Sequence, residues 1–268
     1  MLNYLTVAKW ILLVCTLNIS MLHAQSGIQW PNGAKAAICL TYDDGMETHL
    51  TNAIPQLDSV GLKGTFFMNA ISGKNTVLAW RKAARDGHEL ANHSLLHPCP
   101  DKTNNPPAEL SANTYTVAQM LDEIATMNGY LRVLAPRRPY YTYAYPCSRY
   151  MAGDQNYVEN LRQSGLVRYA RTGSVKQQIV ADFQQLDFFL VPCWGVLPAN
   201  STTEIIDFAQ QVKAVGGLGV YGFHGIGGQW ISTDNEKHRA LLAYLKANQT
   251  DFWVAPFGEI MEWIEKHK

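Results

Sequence analysis

The chain has 268 residues, 47% hydrophobic and 16% charged, with 22 Lys+Arg against 22 Asp+Glu. That composition excludes disordered, collagen-like and low-complexity classes. Zero formal net charge leaves no electrostatic footprint for nucleic acid or for an anionic membrane surface, so the implied partner is neutral or recognised locally.

At the N-terminus Lys9 precedes the apolar run from Trp10 to Leu17, and Ala24 offers a small residue before Gln25. Residues 1–24 read as a secretory signal peptide and 25–268 as one domain of barrel size, exported to the periplasm or secreted. A lipoprotein reading through Cys15 is set against the bulky Val14 before it. No later run approaches the roughly 20 apolar residues of a membrane helix. Four cysteines follow the leader, Cys39, Cys99, Cys147 and Cys193, and the sequence does not choose among their pairings.

The run Ala36-Ala37-Ile38-Cys39-Leu40-Thr41-Tyr42 ends in Asp43-Asp44-Gly45, which predicts a buried strand running out into a loop. A helix over 49–60 follows, then a strand over 62–68, a helix near 76–86 stopped by Gly87, and a strand over 88–92. This β–α–β–α–β rhythm implies a parallel sheet. The polar, proline-rich stretch 98–107 predicts an exposed loop, and Met120 falls on the core stripe of the next helix. Later strands are predicted at 140–145, 167–171, 188–191, 219–223 and 252–254, with helices at 202–214, 236–247 and 257–267. About eight strands suffice for a barrel, whose C-terminal strand ends share one face. The cluster Gly225-Ile226-Gly227-Gly228 lacks the lysine and hydroxyl of a phosphate-cradling loop.

Three strand ends carry candidate chemistry. Adjacent Asp43 and Asp44 need solvent, donors or a cation to stay ionised, although capping of the turn at Gly45 is the plainer reading. In His93-Ser94-Leu95-Leu96-His97 one helical turn brings both imidazoles to the same face, which is metal-ligand spacing, with surface histidines as the alternative. The absence of Glu beside His93 removes the zinc-protease motif. His224 follows the strand at 219–223. Two imidazoles and a carboxylate leave open positions for water and substrate, the catalytic pattern of zinc. A different set, His93, His97 and Cys99, is also open.

Thr41-Tyr42-Asp43-Asp44-Gly45, His93-Ser94-Leu95-Leu96-His97, Tyr145-Pro146 and Phe223-His224-Gly225, in this order, resemble the motifs of the polysaccharide deacetylase family, carbohydrate esterase family four, over about residues 30–260. The resemblance implies an α/β fold, a distorted (β/α)7-type barrel, and removal of acetyl groups from an acetylated oligo- or polysaccharide. On the matched positions Asp44, His93 and His97 hold a divalent metal, Zn2+ by default, though cobalt, nickel or iron also suit the set. Asp43 is the general base, His224 the general acid, and the backbone N–H of Cys147, after Tyr145-Pro146, helps hold the oxyanion. N-acetyl groups of amino-sugar polymers are the family's default substrate, and O-acetyl groups of xylan-like polymers the near alternative.

The chain departs from the pattern in its third and fourth motifs. No arginine stands near Tyr143-Ala144-Tyr145, where many members carry the one that orients the base; Arg171 is the candidate replacement. No acid adjoins Trp194, where one usually orients the catalytic histidine, and Asp187 is the nearest. Trp194 and Trp230 are candidate walls for acetyl or sugar, or ordinary core. These departures leave a rival reading, a carbohydrate-binding protein that keeps the barrel without turnover. A phosphate-handling metalloenzyme is weaker still, for want of cationic strand ends.

Overall fold

The computed structural model describes residues 27–70, 74–100, 110–228 and 230–268. The expected signal segment with Cys15, and residues 101–107 of the expected polar loop, lie outside the described residues. No helix among the described residues is long and apolar enough to cross a membrane.

Strand β1 (Ala36–Asp43) is buried along its whole length, as expected of a central parallel strand covered on both faces. A π-helical turn (His49–Ala53) runs into α1 (Ile54–Ser59), and β2 (Thr65–Met68), α2 (Lys74–Arg85), β3 (Glu89–Asn92), α3 (Val117–Leu134) and β4 (Thr142–Ala144) follow. Gly87 takes φ 99°, the left-handed conformation that lets the chain leave α2 for β3. A short hairpin, β5 (Met151–Ala152) with β6 (Gln155–Asn156), precedes α4 (Val158–Ser164) and β7 (Tyr169–Arg171). Then come β8 (Ile179–Val180), β9 (Trp194–Gly195), α5 (Thr202–Val215), β10 (Leu218–Phe223), α6 (Asn235–Ala247), β11 (Phe252–Val254) and α7 (Phe257–His267). Residues 188–191, expected as a strand, contribute only the bridge of Val191 to Arg171.

The sheet order is β7-β4-β3-β2-β1-β10-β8, with β11 on β1 and β9 on β10; every pair is parallel except β8 with β10. The sheet curls into a half-barrel. Single parallel bridges, Arg171 to Val191 and Ser174 to Trp194, link the β7 side toward β9. The fold is a single α/β domain of the distorted (β/α)7 type.

Side chains of a strand alternate between faces, and the sheet therefore divides two cores. Ala36, Ile38, Leu40 and Tyr42 of β1 join the outer core with Phe66, Leu90, Tyr143, Tyr221 and the helices α1, α3, α5 and α6. Ala37 and Cys39 belong to the inner core with Phe67, Ala91, Ala144, Tyr169 and Val220. Helix α7 closes this inner face with Phe257, Ile260, Met261 and Ile264, spaced as one helical stripe. Its first turn is held by the buried Glu89 carboxylate, which accepts from Gly258 N at 2.9 Å, Thr65 Oγ1 at 2.8 Å and Thr142 Oγ1 at 2.9 Å. A carboxylate at a helix N-terminus meets the unpaired N–H groups and the positive end of the helix dipole.

Two buried imidazoles, His238 and His49, flank the Tyr42 ring in the outer layer. Tyr42 Oη donates to His238 Nε2 at 2.7 Å, and His238 Nδ1–H donates to Gln56 Oε1 at 2.7 Å. His49 Nε2–H donates to the His224 carbonyl at 2.7 Å. Burial pulls His238 down to about 3 and His49 down to about 4, from an ordinary 6.5. Both are neutral in the fold, whereas the unfolded chain takes up protons as pH falls below 6.5. Their stabilisation is complete above that value and is lost on acidification toward 4. Unfolding free energy measured with urea should drop between pH 6.5 and 5 by about 1.4 kcal/mol per pH unit for each imidazole. A profile equally steep in His238→Asn would remove His238 from this account.

Candidate active site

The same alternation that builds the inner core delivers the site. On β1 the inward row Ala37, Cys39, Thr41 ends at Asp43; on β3, Ala91 is followed inward by His93; on β7, Tyr169 by Arg171; on β10, Leu218, Val220 and Gly222 by His224. All four end at the C-terminal edge of the sheet, where loops reverse direction and barrel enzymes place their chemistry. Asp44 takes φ 77° and Gly45 φ 59°, so the second carboxylate turns into the same opening; Asp tolerates this region better than most residues.

The His93–His97 segment is not the helical turn expected from its spacing. Ser94 (φ 60°) and His97 (φ 54°) are left-handed, and side chains stitch the loop together. Asn92 Oδ1 accepts from Ser94 N at 2.8 Å, Ser94 Oγ from His97 N at 3.0 Å, and Glu123 Oε2 from Leu96 N at 3.0 Å. The imidazoles nevertheless meet, with their Nε2 atoms 3.1 Å apart. Asn92 is buried and donates to Ile124 O and Asn128 Oδ1, which anchors the start of this loop in the core.

His93 Nδ1–H donates to the Ala144 carbonyl at 2.8 Å, which puts the ring's lone pair on Nε2, toward the site. Burial pulls His93 down to about 4, keeping it neutral. Asp44 Oδ1 is 3.5 Å from His97 Nε2 and 3.8 Å from His93 Nε2. Ligands 2.0–2.1 Å from a tetrahedral ion stand roughly 3.4 Å apart, so these three spacings fit a divalent cation among Asp44, His93 and His97. Two imidazole lone pairs facing one another across 3.1 Å repel unless a proton or a cation lies between them. The fit is therefore chemical as well as geometric.

Asp43 is buried and ionised. Burial raises its carboxyl, but the Arg171 guanidinium, with His93, His224 and His97 around it, outweighs that and holds it below the ordinary 3.8. Arg171 Nη2 donates to Asp43 Oδ1, Nη1 donates to Thr172 O at 3.3 Å, and the guanidinium lies 4.5 Å from the Phe67 ring centre. A β7 arginine thus pairs with this carboxylate, where the sequence offers none near Tyr143. The free oxygen of Asp43, Oδ2, lies 4.0 Å from His93 Nε2.

His224 Nε2 is 3.9 Å from Asp44 Oδ2, and its Nδ1 is buried without a partner among the described residues. Asp187, the expected orienting acid, is elsewhere: it pairs with Arg162 at 2.9 and 3.0 Å and accepts from Phe189 N. What holds His224 instead is the bond from His49 to its carbonyl. Sequence reasoning missed His49, and Asn69, whose Nδ2 donates to Asp44 Oδ1 at 3.5 Å; the closeness of Thr48-His49 to the aspartates is the one signal that pointed there.

The remaining candidates separate. Cys147 (φ 51°) occupies the turn Pro146–Ser148 and is disulfide-bonded to Cys99, which overturns the His93, His97 and Cys99 metal set; Cys39 and Cys193 are free and buried. Pro98 and Cys99 are buried, against the expected exposure of that stretch. The Tyr145 ring is buried among Tyr143, Tyr150 and Tyr157, so only its backbone serves the turn. Trp194 is core, 1% exposed, against Phe208 and Tyr221, and walls no substrate. Trp230 is exposed on the loop after His224.

A curled α/β sheet whose strand ends converge two carboxylates, three imidazoles and a buried guanidinium is the layout of a hydrolytic enzyme. Residues 31–167 match the family model described as polysaccharide deacetylase, half of the chain, and the protein belongs to that family of carbohydrate-deacetylating hydrolases. Solved structures share the fold. They include a Mycobacterium smegmatis protein classed as a polysaccharide deacetylase (TM-score 0.58, 19% identity, 89% of this chain and 93% of that one) and Bacillus subtilis PdaA, a family 4 carbohydrate esterase (0.53, 17%, 86% and 82%). The catalytic domain of a peptidoglycan N-acetylglucosamine deacetylase from Eubacterium rectale is similar too (0.54, 15%, 83% and 88%). The uncharacterized protein YlxY of Bacillus subtilis is 40% identical over 50 residues, 19% of this chain, and the match spans about a sixth (16%) of that relative's length.

With side chains 3% and 10% exposed, the Arg171–Asp43 pair is desolvated on both partners. Arg171→Met leaves a buried carboxylate unpaired and should cost about 3–5 kcal/mol in chemical denaturation, with Arg171→Lys recovering part. A loss below about 1 kcal/mol would mean that water replaces the guanidinium there.

Proposed function

We propose that this protein is an exported, divalent-metal-dependent hydrolase that removes N-acetyl groups from an amino-sugar polymer, with Zn2+ as its ion. The observation that carries the reading is the spacing of the Asp44, His93 and His97 donor atoms beside an ionised Asp43. A divalent ion on those ligands supplies Lewis acidity, polarising the acetyl carbonyl and easing loss of a proton from water. Export is supported by the leader-like residues 1–24 and by a disulfide, which persists in oxidising compartments.

Asp43, charged and pinned through Oδ1 by Arg171, presents Oδ2 to take the proton of the attacking water. The backbone N–H of Cys147, in its left-handed turn, is the donor assigned to the tetrahedral oxyanion. His224, whose Nε2 lies 3.9 Å from Asp44 Oδ2, delivers a proton to the leaving nitrogen. Arg171 in the place of the missing arginine weighs against a protein that only binds sugar, since a binding site has no use for a base kept ionised by a buried guanidinium.

One observation favours a second substrate class. An amide nitrogen leaves only when protonated, whereas an alkoxide needs less help, and His224 Nδ1 has no acceptor among the described residues to hold the ring and its charge. That favours O-acetyl esters of a xylan-like polymer.

Acetate release from chitooligosaccharide and from acetylated xylan, side by side, decides between them. Removal of metal by a chelator should abolish release and Zn2+ restore it. Asp43→Asn should lower kcat by roughly 10²–10⁴-fold with metal content unchanged. Stoichiometric metal with no release from either polymer would instead favour the binding protein.

A further inference from the structure

Nothing in the deacetylation chemistry uses the sulfurs of Cys99 and Cys147, yet they adjoin a metal ligand. The His97 ring has one nitrogen on each side of a boundary. Its Nε2 faces His93 Nε2 at 3.1 Å and Asp44 Oδ1 at 3.5 Å, while its Nδ1 faces Cys99 Sγ at 3.4 Å. One ligand atom each from His97, Cys99 and Cys147 falls within 4.8 Å of the others, a grouping as tight as Asp44, His93 and His97. As a disulfide the sulfurs are poor ligands. As thiolates they are among the best for zinc or cobalt, and two Cys with one His is an established zinc set.

We propose that reduction of Cys99–Cys147 opens a second metal site, formed by Cys99, Cys147 and His97, which takes His97 away from Asp44 and His93 and switches the hydrolase off. The reductant is a dithiol: it transfers two electrons and two protons, the Cys99–Cys147 bond breaks, two thiols form, and the dithiol becomes a disulfide. Cys147 is half-buried, whereas Cys99 is buried, so Cys147 is the more exposed residue of the pair. Metal binding then displaces the two thiol protons.

The two sites exclude one another because a neutral imidazole carries one lone pair in its plane and one N–H. Ligation through Nδ1 puts the proton on Nε2 and removes His97 from the first set; ligation through Nε2 puts it on Nδ1, facing the sulfurs. The first set is then left with Asp44 and His93, two ligands instead of three. The disulfide also joins the turn of the metal histidine to the turn at Pro146–Ser148, so its opening releases both at once. The switching rests on the metal-dependent reading above, whereas the thiolate site does not.

Cobalt(II) added to the full-length chain tests both, with a water-soluble phosphine as reductant because it carries no sulfur and goes to the phosphine oxide with oxygen from water. His93→Gln removes the first set and spares the second. Oxidised His93→Gln should show no thiolate-to-cobalt charge-transfer absorption in the near ultraviolet, and the reduced protein should gain it at one cobalt per chain. Reduced wild type should show the band and lose at least tenfold of its acetate release. In Cys99→Ser whatever release remains should not respond to reductant. No band in reduced His93→Gln, with thiol titration showing the disulfide open, overturns the second site. A band in reduced wild type with acetate release undiminished overturns the competition. Oxidised wild type that releases no acetate with metal bound refutes the hydrolase reading instead, and the band in reduced His93→Gln still decides the thiolate site.

Discussion

The constraint on which the rest depends is that β1, buried along its full length, must end in an ionised carboxylate. An isolated carboxylate in an apolar interior would take up a proton rather than remain charged. Arg171 prevents this from a strand four places away in the sheet and 128 residues along the chain. The requirement is reciprocal, because the guanidinium is buried too and, among the described residues, has Asp43 and the Thr172 carbonyl as its polar partners, with Phe67 against it. A flat sheet would hold β1 and β7 far apart. The ion pair forms because the sheet curls, and once formed it opposes uncurling.

Function and stability divide along the strand axis. At the N-terminal ends, Glu89 ties β2, β3 and β4 to the first turn of α7, and Gly258 is needed there because a Cβ would stand 2.8 Å from Glu89 Oε1. At the C-terminal ends the backbone departs from ordinary geometry instead: Asp44, Ser94, His97, Cys147 and Ser148 all have positive φ. Non-glycine residues held in that region are strained, and here they cluster where a side chain must be turned into the site.

Much of this was legible in the sequence. Short apolar runs and stripes of period near four predict the long elements, and Asp43, His93 and His224 all stand at the ends of predicted strands, which a barrel brings to one face. What escaped had no periodicity to read. The two-residue strands β5, β6, β8 and β9 exist only through their partners, and α4 is a seven-residue helix between them. Trp194 and Asp187 were read from their neighbours in sequence, but a tryptophan on the outward face of β9 goes to the helix layer, and a carboxylate beside Arg162 forms the nearer salt bridge. The cysteine pairing is a tertiary fact that spacing alone does not contain.

His224 shows how a site can replace a side-chain restraint with a backbone one. Its Nδ1 finds no acceptor among the described residues, so no hydrogen bond at that nitrogen fixes the ring. Its carbonyl, however, accepts from His49, which is buried and kept neutral, and whose turn is packed beneath Phe66 and Trp80. Thr48 receives the Ile226 N–H at 3.4 Å and Asn52 donates to Ile226 O at 2.6 Å, so the residues just after His224 are held by the same π-helical segment. That segment begins four residues beyond Gly45, and it therefore couples the position of the histidine to the loop that turns Asp44 inward. Thr48, His49 and Asn52 thus all meet the loop after β10, at Ile226 N, His224 O and Ile226 O, so one short segment fixes the backbone on both sides of Gly225.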